Sequence, residues 1–211
     1  MKKAALFLTL CILTLTMQVM ADGRSGRIKW LTNFDEGTQL ASKTSKPLIL
    51  FFTGSDWCTW CIKLEDEVLS TPEFADAVAD KFIFVKLDFP LNRQLPQDVS
   101  SKNKRLQKLF GVNGFPTLVL LDPQQNQIGT AGYRPGGGKQ YASFLLKLLD
   151  DNSAFKQKVD NVDKQKVSSA ELKLIYDRAV SLNRECDIDK VVNSSLKADQ
   201  KVFFWLKNTV C

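Results

Sequence analysis

The chain has 211 residues, of which 44% are hydrophobic and 25% charged. That is enough apolar material for a sizeable core and too much for wholesale disorder. The formal charge of +6 includes Lys2 and Lys3 and contains no basic run, which argues against a nucleic-acid partner. Histidine is absent, so nucleophile pairs of the Ser–His and Cys–His kind are excluded.

Residues 1–21 read as a signal peptide. Lys2 and Lys3 form the positive start, Ala4 to Leu15 the apolar stretch, and Val19-Met20-Ala21 the small-residue cleavage site. The apolar run falls short of the roughly 20 residues of a membrane span. The expectation is an exported, periplasmic protein with no stable membrane insertion after cleavage; an uncleaved N-terminal anchor is the alternative. Phe34, Leu40 and Ala41 predict a helix over 33–44. Leu48 to Phe52, an unbroken apolar run after Pro47, predicts a strand buried on both faces. Gly54-Ser55-Asp56 reads as a turn, and Cys58 opens a helical stretch that continues from Trp60 to Leu69. Thr71-Pro72-Glu73 marks the next helix start, with Thr71 as N-cap and Pro72 in the first position.

Phe82 to Asp88 predicts a second strand, 90–100 a polar loop with two prolines, and Lys104 to Phe110 a short helix ending before Gly111. Thr117 to Asp122 and Gln127 to Ala131 predict a hairpin around Pro123. A helix then follows Gly136-Gly137-Gly138 and runs through Tyr141, Phe144, Leu145, Leu148 and Leu149. This order predicts an α/β fold: a mixed central sheet with helices on both faces, over residues 22–150. After residue 151 the composition turns polar. Ser168 to Glu171 resembles a capping box, and Leu172, Ile175, Tyr176 and Ala179 share a helical face. Residues 151–211 therefore read as a helical C-terminal extension packed on the core or on itself. A docking surface is the other reading.

Beyond residue 21 the cysteines are Cys58, Cys61, Cys186 and Cys211. Export makes disulfides available to them. A zinc site is disfavoured because only Cys58 and Cys61 form a close pair, and no cofactor or metal is expected. Cys186 and Cys211 could be bridged or free, since bridging depends on geometry. The motif that carries chemistry is Trp57-Cys58-Thr59-Trp60-Cys61, after a buried strand and at a helix start. A cysteine there meets unpaired backbone N–H groups and the positive end of the helix dipole, and both favour thiolate. A second cysteine three positions on lies one turn along the same helix. Cys58 is thus the candidate nucleophile and Cys61 the resolving cysteine of a thiol–disulfide exchange.

Strand, turn, CxxC and helix, with Gly114-Phe115-Pro116-Thr117 before a later strand, resemble the thioredoxin superfamily over roughly residues 30–150. Ser55-Asp56-Trp57-Cys58 and the stretch from Phe52 to Phe74 are most similar to periplasmic disulfide reductases of the DsbH type. The resemblance implies a cis Pro116 facing the CxxC, with the Phe115 backbone free to align a substrate strand. Trp57, Thr59, Trp60, Phe115 and Pro116 would then bind substrate. The superfamily's buried acid, six residues before the first cysteine, is replaced by Phe52, leaving Asp56 and Lys86 as candidate proton-transfer groups; Lys86 matches the lysine that the family places beneath the site.

With no histidine near the pair, and Asp56 repelling a Cys58 thiolate, the reading is a reductase. Its partners would be disulfide-bonded protein substrates and a membrane electron donor. Isomerase or oxidase action is the first alternative. A redox-inert binding module that kept the fold is the second.

Overall fold

The computed structural model describes residues 28–164 and 167–198; the signal-peptide reading, Cys211 and the apolar run Val202 to Leu206 lie outside them. Five strands form one sheet in the order β1-β3-β2-β4-β5. They are β1 (Trp30–Leu31), β2 (Leu48–Thr53), β3 (Ile83–Asp88), β4 (Thr117–Leu121) and β5 (Gln127–Ala131). β3 runs parallel to both β1 and β2, whereas β4 is antiparallel to β2 and β5. The mixed sheet expected from the sequence is present. The two-residue β1 was not expected; it is defined only by its pairing with Phe84 and Val85.

β2 is central, and all six of its residues are buried. Its side chains alternate between two cores. Ile49 and Phe51 join Phe84, Leu64, Phe74 and Tyr141, under α2 (Thr59–Leu64), α3 (Pro72–Val78) and α5 (Gly137–Asn161). Leu48, Leu50 and Phe52 join Val85, Leu87, Ala41 and Leu106, under α1 (Phe34–Thr44) and α4 (Gln97–Leu109). Helices thus cover both faces, which is why this strand shows no alternation in sequence. Caps fix the helix starts. Asn33 accepts from the N–H groups of Asp35 and Glu36, and Thr71 Oγ1 from that of Phe74, with Pro72 in the first turn. Gly138 lets α5 approach α3: a Cβ there would lie 2.0 Å from Thr71 Oγ1 and 3.0 Å from the Phe74 backbone nitrogen.

Three boundaries differ from expectation. α2 ends at Leu64, and a π-helical turn over Glu65–Leu69 completes the stretch expected as one helix. α4 begins at Gln97, seven residues before Lys104, so the polar loop is shorter than 90–100. Its first turns bury little, and Pro96 sits at the N-cap, so composition alone read as loop. α5 runs 25 residues to Asn161, straight past the change in composition near 151. Its distal half packs with α6 (Ser169–Ser181) and α7 (Glu185–Ala198) around Phe155, Val159, Ile175, Tyr176 and Val191. Arg184 ties this group together. Its Nη1 donates to Asn152 Oδ1 at 2.8 Å, it pairs with Asp187 at 2.5 Å, and its guanidinium lies over the Phe155 ring. Arg178 donates to the Ile128 carbonyl of edge strand β5 at 3.3 Å, and Lys156 pairs with Asp122. The helical extension therefore packs both on itself and on the sheet edge. Among the described residues no helix is long and apolar enough to cross a membrane.

Candidate active site

β2 ends at Thr53 and the chain turns through Gly54 into α2. Cys58 is the N-cap of that helix, with extended backbone, and its Sγ accepts a hydrogen bond from the Cys61 N–H at 3.2 Å. Cys58 and Cys61 are joined by a disulfide. Cys58 keeps 7% exposure and Cys61 none. After reduction the Cys61 N–H and the positive end of the helix dipole would stabilise negative charge on the Cys58 sulfur.

The turn is fastened from two sides. Asp56 accepts from the N–H groups of Leu91 at 2.9 Å and Asn92 at 2.7 Å, which pins the loop after β3. The hydrogen bond from Leu91, chief among these, holds its carboxyl below the ordinary value. Asp88, at the end of β3, accepts from Ser55 N and Oγ and from Phe89 N, and pairs with Arg93. Sequence reasoning treated Asp88 only as a strand end. Its partners lie up to 33 residues away, and only β-sheet register brings them together. Gly54 is required by Trp57, since a Cβ there would lie 2.4 Å from the indole.

A depressed carboxylate pKa stabilises the fold above the unfolded value and stops doing so as pH falls through the folded one. The wild type is therefore expected to exceed Asp56→Asn in stability at pH 7. The gap should close below about pH 3.9. Denaturation midpoints measured against pH check this; a gap that is constant with pH would mean that the charge plays no part.

Exposed aromatic groups flank the disulfide. Trp57 donates from Nε1 to the Phe89 carbonyl at 2.7 Å and meets the Phe115 ring edge-on at 6.0 Å between centroids. The Phe115–Pro116 bond is cis, as expected, and Pro116 is buried. The Phe115–Trp57 contact brings the proline loop against the CxxC turn. Trp60, 55% exposed, packs on Tyr133 at 5.1 Å, with Lys63 over both rings. Tyr133 donates to Glu67, which raises its pKa. Thr59 is exposed between the cysteines.

Lys86 lies beneath α2. It is paired with Phe51 in the ladder, and its Nζ is 2.7 Å from Glu65 Oε1, directly after α2. Phe52, six residues before Cys58, packs on the opposite face with α1 and α4. The carboxylate beside Lys86 thus comes from the turn that follows α2 and not from the strand. Glu65 was missed because its partner is 21 positions away in sequence. The Thr53 hydroxyl is also buried, without a hydrogen-bond partner among the described residues. Cys186 is exposed, and Cys211, its candidate bridging partner, lies outside the described residues.

A thioredoxin-like domain model matches residues 34–148, more than half of the chain. The chain belongs to the thioredoxin-like family. It is 37% identical over 125 residues to the disulfide bond reductase DsbH of Chlamydia pneumoniae, covering 59% of this chain and 75% of that protein. It is 26% identical over 205 residues to the thioredoxin-related protein DsbJ of the same organism, covering 95% of this chain and 57% of that protein. A solved DsbH oxidoreductase superposes with a TM-score of 0.59 at 34% identity, over 64% of this chain and 92% of that one. With an intact CxxC at the N-terminus of α2, this member of the family is a thiol–disulfide oxidoreductase. The match to DsbJ spans the helical extension as well as the thioredoxin-like part.

Proposed function

We propose that the chain reduces protein disulfides after export to the periplasm, with Cys58 as nucleophile and Cys61 as resolving thiol. The observation that carries the assignment is the asymmetry of the pair, with Cys58 at the rim and N-cap and Cys61 fully buried. The reduced Cys58 thiolate attacks a substrate disulfide. A bond forms between Cys58 Sγ and one substrate sulfur, and the other leaves as thiolate. Cys61 then loses its proton and attacks Cys58, closing the enzyme disulfide and releasing the second substrate thiol. Two electrons pass to the substrate, and a thiol donor must return them; for an exported enzyme we assign that role to a membrane protein. The reducing direction is supported by the lack of histidine, by Asp56 two residues before Cys58, and by the likeness to a disulfide bond reductase.

In this reading Trp57, Thr59, Trp60 and Phe115 offer contact area, and Pro116 leaves the Phe115 backbone to an extended substrate. Asp56, occupied by two amides, acts as a fixed anchor that keeps its charge. To Lys86, paired with Glu65, we assign the role of favouring the Cys61 thiolate in the resolving step. Insulin reduction with dithiothreitol as donor tests the activity; no acceleration over dithiothreitol alone would favour a redox-inert module. Lys86→Met should shift the ascending, acid-side limb of the pH–rate profile to higher pH, because a cation that stabilises the thiolate is gone. An unmoved profile would remove Lys86 from the proton path.

A further inference from the structure

Beside Trp57, on the side away from Trp60, a cleft of about 650 Å³ opens between the loop after β3 and α4. We propose that it is a subsite for an extended substrate segment next to the disulfide, one carrying an apolar side chain and a carboxylate. The proposal rests on the exchange chemistry assigned to Cys58.

Three observations carry it. First, Trp57, the residue before Cys58, lines the cleft, so a substrate segment that leaves the disulfide past Trp57 meets it. Second, its wall is built in advance. Leu91 and Asn92 are held by Asp56, Phe89 by the Trp57 indole, and Arg93 by Asp88, so the loop that lines the cleft is fastened to the CxxC turn itself. A preformed wall avoids the ordering cost of binding. Third, the lining has a definite chemistry. Phe89 and Leu91 offer apolar surface, and Leu91 is 73% exposed with no packing need to explain it. Gln94 and Gln97 supply amides for a peptide backbone. The sole acidic side chain of the lining is Asp88, already satisfied by Ser55, Phe89 and Arg93. That leaves the Lys104 ammonium, which has no ion pair among the described residues, as the uncompensated charge. A lining that joins apolar side chains to amides, with one cation that has no ion pair among the described residues, favours an apolar and acidic segment.

The test reads the attacking step alone, so it does not depend on redox direction. Full-length Cys61→Ser protein is mixed with disulfide-bonded peptides whose segment beside the cysteine is Leu-Glu, Leu-Lys or Gly-Ser. Formation of the mixed disulfide with Cys58 is followed by mass spectrometry. The expected order is Leu-Glu, then Gly-Ser, then Leu-Lys. Adding Lys104→Glu should lower the Leu-Glu to Leu-Lys rate ratio by about fivefold or more. Lys108→Glu makes the same charge change on α4 outside the lining, and should leave the ratio close to its starting value. Equal rates for the three peptides, a preference for Leu-Lys, or equal effects of the two lysine variants would each overturn the subsite. A failure of the reductase reading would appear elsewhere, in insulin turnover or in the potential of the cysteine pair.

Discussion

Cys58→Ser is expected to lower disulfide exchange by roughly 10³-fold or more, since a hydroxyl at this pH offers almost no anionic nucleophile. Cys61→Ser should differ in kind. Its Cys58 still attacks, but nothing resolves the product, so mixed disulfides accumulate through Cys58. The structural reason is the position of each sulfur. Cys58 caps α2, where the Cys61 N–H already reaches its Sγ at 3.2 Å and the helix dipole adds to the same effect. Cys61 is buried one turn further in, out of reach of a protein substrate. Electrophoresis without reductant distinguishes the two variants. Adducts trapped by Cys58→Ser in place of Cys61→Ser would reverse the assignment.

The largest effect on stability should come from Phe51→Ala, a loss of about 3–5 kcal/mol. Phe51 is fully buried at the centre of β2 and packs against Trp30 at 5.7 Å between ring centroids. It is also the ladder partner of Lys86, whose Nζ lies 5.8 Å from its ring. Sheet pairing on both sides of β2 holds the backbone, so the cavity cannot close by a strand shift. Urea denaturation followed by tryptophan fluorescence measures the change. A loss under about 1 kcal/mol would mean that the core under α2 collapses around the missing ring.

The elements that position the chemistry were the ones most legible in the sequence, because their signals are local. Leu48 to Phe52 announces a doubly buried strand. Thr71-Pro72 announces a helix start. Cys58, after a turn and before a helical stretch, announces an N-cap. The cis Phe115–Pro116 bond came from resemblance, and the structure bears it out. Features created by long-range register were not legible. Trp30–Leu31 is a strand only because β3 lies beside it. Glu65 gains meaning only when Lys86 is placed under α2, and Asp88 only when Ser55 and Arg93 converge on it. The alternation of β2 also decides which face a residue serves. It puts Phe51, not Phe52, beside Lys86. Polar composition hid the start of α4 at Gln97 and the continuation of α5 to Asn161, because both stretches expose most of their surface.

The central claim is that the Cys58–Cys61 pair works as a reductant. Its most direct measurement is the reduction potential of the pair, obtained by equilibrating the protein with glutathione buffers of known poise and quantifying the dithiol fraction. With no histidine to stabilise the Cys58 thiolate and a carboxylate two residues away, half-reduction is expected near thioredoxin's value of about −270 mV. Half-reduction above about −180 mV, in the range of isomerases and oxidases, would contradict the account.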